Sequence, residues 1–199
     1  MEPQFDLAPV ALSLATVVDG ITDDHLDAPT PCADTVVSQL LSHVVGLTEA
    51  FRQAATKESA GTSVPPSLDI PLPTDWRTLI PTRLTALAAA WREPAAWDGD
   101  AEAGGITLPA PVMATVALDE LVLHGWDLAV STGQTFGAEA RDLAILHEFL
   151  RDTDPAGTPG LFGPVVEVAP AAPALDRLLG LAGRDPAWRP VVAADQRVR

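Results

Sequence analysis

Hydrophobic side chains recur at helical intervals along several stretches of the chain, and prolines and glycines fall between them. Phe5, Ala8, Leu12, Ala15 and Val18 form the first stripe, with Pro9 in the opening turn and Gly20 as a stop, which predicts a helix over 5–18. Thr22-Asp23-Asp24 reads as the capped start of one short turn. Ala28-Pro29-Thr30-Pro31-Cys32 cannot continue a helix, because each proline disfavours helical backbone in the residue before it. From Val36 to Lys57 the stripe Val36, Leu40, His43, Leu47, Ala50 and Ala54 predicts a second long helix. Ser59 to Asp75, with Pro65, Pro66, Pro71 and Pro73, reads as an exposed linker.

A third helix is predicted over 79–91, with Pro81 either near its start or kinking it. Trp97 to Ala110 reads as a polar, Gly-rich turn region with at most a short strand at Ile106-Thr107-Leu108. Pro111 to Ser131 is apolar on nearly every side, so this helix should be central and largely buried. Ala138 to Leu150 predicts an amphipathic helix, Val165 to Val168 a short strand, and Pro173 to Ala182 a last small helix stopped by Gly183. Four or five long helices with little strand define an all-α chain built as a helical bundle.

The charge narrows the function. With 12 Lys and Arg against 27 Asp and Glu, the formal net charge is −15, which argues against nucleic acid and against anionic membrane surfaces as partners. Met1 to Asp6 carries two acids and no base, unlike a secretory signal, and apolar runs are broken by charge before the roughly 20 residues of a membrane span, so a cytoplasmic location is expected. The single cysteine, Cys32, allows no intrachain disulfide and no thiolate cluster. Its nearest charge in sequence is Asp34, of the wrong sign to activate a thiol, and it reads as structural. Trp76, Trp91, Trp97 and Trp188 read as packing or interface residues.

The central helix is where chemistry can sit. Glu120, His124 and Asp127 fall within an arc of about 60° on a helix that turns about 100° per residue. A carboxylate and an imidazole on one inward face can chelate a divalent cation, and His43, on the apolar stripe of the second helix, is the obvious third ligand. Such a site leaves positions for water or substrate, and its imidazole and carboxylate donors suit Zn²⁺, Ni²⁺ or Fe²⁺. The competing reading has no metal: Glu120 and His124 hydrogen-bond each other in the core, with His43 a satisfied histidine. Glu120 stands apart from the solvated acids as a buried carboxylate. His25 reads as solvated or a local cap and His147 as a surface residue. A substrate carboxylate would need Arg52, Arg77, Arg83 or Arg92, and Arg52 lies about 180° round the helix from His43.

Three blocks carry a family resemblance: Thr30-Pro31-Cys32 followed by Leu40-Leu41-Ser42-His43-Val44-Val45-Gly46; Asp119-Glu120-Leu121-Val122-Leu123-His124-Gly125-Trp126-Asp127-Leu128-Ala129; and Leu161-Phe162-Gly163-Pro164 with Gly183-Arg184-Asp185-Pro186. In these the chain resembles the DinB-like helical bundles, and within them the actinobacterial proteins related to the N-terminal domain of mycothiol-dependent maleylpyruvate isomerase. The resemblance implies a DinB-like four-helix bundle over residues 1–155 and a short C-terminal extension, 156–199, packed on it. It implies a divalent metal, zinc first with nickel or iron as alternatives, held by His43, Glu120 and His124. It gives Asp127 a supporting role rather than that of a ligand. The family pattern has a Trp soon after Thr-Pro-Cys where this chain has Ala33-Asp34-Thr35, a departure that bears on packing near the pocket mouth.

By the same resemblance, the expected function is a metal-dependent transferase or isomerase using mycothiol or a similar small thiol, or a thiol adduct, in the cytoplasm. The alternative is a non-catalytic, metal-stabilised module that engages a protein partner. A homodimer through a helical face is compatible with either.

Overall fold

The structure, a computed structural model, describes residues 1–64, 70–158 and 161–190. Pro65 and Pro66 of the expected linker, and the end of the expected C-terminal extension from 191 onward, lie outside the described residues. Four helices form the body: α1 (Ala8–Asp19), α2 (Val37–Thr56), α3 (Trp76–Trp91) and α4 (Ala110–Ser131). α1 and α2 each pack on both α3 and α4, which closes the four into a ring. Their apolar stripes meet in one core, and α4 is the most enclosed element, with Leu118, Leu121, Val122 and Leu128 wholly buried. Its small residues Ala114, Ala117 and Gly125 let neighbours approach, and a Cβ on Gly125 would lie 2.4 Å from the Phe136 ring.

The element boundaries follow local chemistry. α1 starts with Pro9 in its first turn, as expected. Gly20 ends it without turning left-handed; what needs the missing Cβ is Gln134, whose amide donates to Val17 O at 3.0 Å and whose Oε1 a Cβ would meet at 2.2 Å. α3 begins three residues before the expected Leu79, so Pro81 sits inside the helix and removes one ladder bond there. Ser59 is not an exposed linker residue: it is buried and donates to Glu102 O, and Ser63 Oγ donates to the Glu102 carboxylate at 2.8 Å.

Two strand expectations are corrected. The Gly-rich region contains a full hairpin, β1 (Asp100–Ala103) against β2 (Ile106–Pro109), turning through Gly104 and Gly105, both with positive φ. β1 escapes propensity reasoning because Asp-Ala-Glu-Ala has no β-branched residue; it is held instead by packing, with Ala101 and Ala103 buried beside α2 and α4. Val165 to Val168 is rich in valine yet forms no strand. Among the described residues no strand lies beside it to pair with, and the Val166 N–H donates to Gly180 O at 2.9 Å, at the end of a helix.

Beyond the body, α5 (Ala140–Leu150) packs on α4, and α6 (Ala174–Leu181) packs on α5. His147, expected at the surface, is half-buried and sits 2.9 Å from Ala174 O, linking α5 to α6. α6 ends in a Schellman cap: Gly183 N–H donates to Gly180 O at 3.1 Å and Arg184 N–H to Leu179 O at 2.8 Å. Gly183 has φ +74, and a Cβ there would lie 2.5 Å from Gly163 O. The two glycines of the tail blocks therefore touch backbone to backbone, and this contact fixes where Arg184 leaves the helix.

Gly183→Ala should therefore cost about 2 kcal/mol or more, from left-handed backbone strain and the clash with Gly163, read as a lower urea midpoint; an unchanged midpoint contradicts this account. A second prediction concerns Asp142, in the first turn of α5, whose Oδ2 is buried without a partner. Burial first, and Glu139 second, push its pKa up to about 6. The folded protein thus keeps a proton that the unfolded chain has released, so this contribution is complete below the ordinary carboxyl range and is lost as pH rises through about 6. Asp142→Asn should gain on the order of 2 kcal/mol over wild type at pH 8, the gain vanishing near pH 4; an equal difference at both pH values would contradict the assignment.

Candidate metal centre

The i, i+4 spacing on α4 places Glu120 beneath His124, and the α2–α4 contact brings His43 across to both. His124 Nε2 lies 2.9 Å from Glu120 Oε2, and His43 Nε2 lies 3.5 Å from the same oxygen. The two imidazoles meet edge to face with ring centroids 4.9 Å apart. One donor atom from each residue lies within 4.8 Å of the others. Ligands about 2.0–2.1 Å from a tetrahedral ion sit roughly 3.3 Å from each other, so the cluster has the size of such a site after an opening of a few tenths of an ångström at Glu120 and His124.

Asp127, one turn further on, approaches the other side of the His124 ring. Its Oδ2 lies 3.1 Å from His124 Nδ1, accepts from Cys32 Sγ at 3.2 Å and accepts from Arg184 Nη2 at 2.9 Å. Its Oδ1 accepts from Arg184 Nε at 3.0 Å. Cys32 is placed by its own loop: Thr30 Oγ1 donates to Thr35 O at 2.9 Å and accepts from the Cys32 N–H at 3.2 Å, so the Thr-Pro-Cys turn is pinned before α2 begins.

The centre is graded from open to closed. Glu120 keeps 29% of its side chain exposed and His43 17%, whereas Asp127 keeps none. Glu120 is thus partly buried, less enclosed than the buried carboxylate that the spacing suggested. The enclosed acids are Asp127 and Asp119, the latter with Oδ1 unpartnered and its pKa pushed up to about 7 by burial and by Glu120. Desolvation opposes the charge on Glu120, yet hydrogen bonds from His124 and His43 outweigh it and hold its carboxyl well below the usual range. For Asp127 desolvation is again outweighed, here by the Arg184 charge and by His124, and the carboxyl is held at about 2. Burial lowers the His124 pKa, but Asp127, Cys32 and Glu120 together carry it well above the ordinary histidine value. An ionised Asp127 can only accept, so Nδ1 of His124 carries hydrogen and Nε2 is the nitrogen turned toward Glu120 and His43.

The three sequence-derived residues thus meet, and Asp127 lies within hydrogen-bond distance of His124 Nδ1. Cys32 is not isolated: besides Asp127, it lies 4.0 Å from His124 Nδ1 and 3.7 Å from Arg184 Nη2. Arg184 was missed. The arginines considered for the site are engaged elsewhere: Arg52 with Glu49 and Glu58, Arg77 with Asp23, Arg83 with Val45 O, and Arg92 with Asp6. Only the Gly183-Arg184-Asp185-Pro186 block signalled Arg184. His25 is the local cap foreseen as one of its two readings, with Nδ1 accepting from the Thr22 N–H at 3.2 Å.

A second group, Cys32, His124 and Asp127, also has donor atoms within 4.8 Å of one another. There the Arg184 guanidinium already supplies positive charge to Asp127 and lies beside the sulfur, so the His43, Glu120 and His124 side is the better place for a cation.

Residues 7–129 match the family model of the mycothiol maleylpyruvate isomerase N-terminal domain. The chain belongs to this family, and its bundle is DinB-like. The crystal structure of the mycothiol-dependent maleylpyruvate isomerase superposes with a TM-score of 0.56 at 19% identity, covering 72% of this chain and 66% of that one, which shows the shared fold. Two uncharacterized proteins of Mycobacterium tuberculosis, from strains CDC 1551 / Oshkosh and ATCC 25618 / H37Rv, are each 27% identical over 126 residues, covering 62% of this chain. The chain spans 63% of the length of these relatives.

Asp127→Ala would strand the buried Arg184 charge. We expect a loss of about 3–5 kcal/mol in urea unfolding at neutral pH; a loss under 1 kcal/mol would show that the pair does not hold the fold.

Proposed function

We propose that this protein binds one divalent cation through His43, Glu120 and His124 and works with a low-molecular-weight thiol, as a transferase or isomerase of the mycothiol-dependent type. The observation that carries the reading is the convergence of two imidazoles and one carboxylate at a partly exposed place between α2 and α4, 2.9 and 3.5 Å apart through Glu120 Oε2. Three protein ligands leave coordination positions free for a small molecule. When bound, the ion supplies Lewis acidity toward a thiolate or a carbonyl oxygen. The protein's own part is to aim the donors: Asp127 keeps hydrogen on His124 Nδ1, and the α2–α4 contact sets the span between His43 and Glu120. Zinc is the metal we favour, with nickel and iron as the alternatives for the same donor set.

The thiol is supported by the family, whose printed description names mycothiol. Cys32 hydrogen-bonds Asp127, so a sulfur at the ion would arrive with the small molecule. Residues 1–155 are read as the metal-binding bundle and 156–199 as a C-terminal extension, of which the described residues 161–190 are read as packed on it. No helix among the described residues is long and apolar enough to cross a membrane, and we place the activity in the cytoplasm.

Elemental analysis of protein purified without chelator or affinity metal should find about one divalent ion per chain, and His43→Ala should abolish it. Mycothiol should then shift the visible spectrum of the cobalt-substituted protein. Absence of the ion overturns the metal reading. A bound ion whose spectrum ignores mycothiol overturns the thiol reading and favours a non-catalytic module, in which metal removal lowers Tm and no turnover is found.

A further inference from the structure

Asp127 receives four donors through two oxygens, and two of them come from one guanidinium: Arg184 Nε at 3.0 Å on Oδ1 and Arg184 Nη2 at 2.9 Å on Oδ2. This fork fixes the plane of the carboxylate. The other two donors, His124 Nδ1 at 3.1 Å and Cys32 Sγ at 3.2 Å, share Oδ2. Asp127 has no exposed side-chain surface, so in the folded chain protein donors stand where its hydration would be. Arg184 is itself held, its Nη1 donating to Ala182 O at 3.1 Å and its backbone leaving α6 through the cap at Gly183. A continuous path therefore runs from the end of α6 through Arg184 and Asp127 to His124 Nδ1, and on to the Nε2 that faces Glu120 and His43.

From this geometry we infer that Arg184 is a positioning residue of the metal centre: by clamping Asp127 it sets the orientation of His124, so the C-terminal segment tunes cation binding by a bundle it lies outside. The inference rests on the metal reading above. It differs from a plain latch between tail and bundle, because a latch would hold the tail equally well without reaching the imidazole.

The test uses the full chain with cobalt as probe, in three variants. Arg184→Met keeps the aliphatic stem and removes the fork, Arg184→Lys keeps the charge without the fork, and Leu178→Ala loosens the buried face of α6 while leaving Arg184 intact. We expect Arg184→Met to weaken cobalt binding by about 10- to 100-fold and to alter the d–d bands, with Arg184→Lys between it and wild type. Leu178→Ala should lower Tm with affinity and spectrum unchanged. Should Arg184→Met not fold, Arg184→Lys carries the comparison. Unchanged affinity and spectrum in a folded Arg184 variant, or an equal loss in Leu178→Ala, overturns the inference. If the wild-type chain binds no cobalt, the metal reading fails; the link from Arg184 to His124 is then read in metal-free protein by ¹⁵N NMR of the imidazole. Its resonances shift between wild type and Arg184→Lys if the link holds, and coincide if it does not.

Discussion

A carboxylate with no access to water stays ionised only if other charges and donors replace the hydration it has lost, and Asp127 is in that position. Its partners come from three separate parts of the chain: Arg184 after α6, Cys32 in the loop before α2, and His124 on its own helix. Satisfying this one group therefore constrains the Thr-Pro-Cys turn, the cap of α6 and the rotamer of an imidazole together. Glu120 and His43 complete the outer side of that imidazole, where part of each side chain meets solvent. The enclosed pair supplies rigidity and the exposed side supplies access, and His124, with one nitrogen on each, joins them.

Much of this was legible in the sequence. The 3.6-residue period gave α1, α2, α4 and α5 within a few residues, and the spacing of Glu120, His124 and Asp127 put them on one face of α4. His43 was recoverable because it interrupts an apolar stripe. Spacing reports a face and not a depth: Glu120 is only partly buried, whereas the enclosed acids of α4 are Asp119 and Asp127. Arg184 and Cys32 were out of reach for a different reason. Their contacts with Asp127 span 57 and 95 residues, and neither lies on a periodic segment. The strand errors have one cause seen from both sides: β1 forms without β-branched residues because a Gly-Gly turn and two buried alanines place it, whereas Val165 to Val168 has the valines and, among the described residues, no strand to pair with.

The blocks that carry the family resemblance acquire physical meaning in the structure. Thr30 ties the turn that presents Cys32, and Gly125 makes room for Phe136. Gly163 and Gly183 meet backbone to backbone so that Arg184 points inward. The family match at residues 7–129 stops short of Arg184, so the chain's own geometry, beyond that match, is what draws the tail into the centre.

The central claim is that a cation sits on the His43, Glu120 and His124 side of His124 and not on the Cys32 and Asp127 side. X-ray absorption spectroscopy of the zinc-loaded protein separates the two directly. The account predicts a first shell of nitrogen and oxygen only, at about 2.0–2.2 Å, with two imidazoles; a sulfur scatterer near 2.3 Å in the absence of added thiol would place the ion at Cys32 and contradict it.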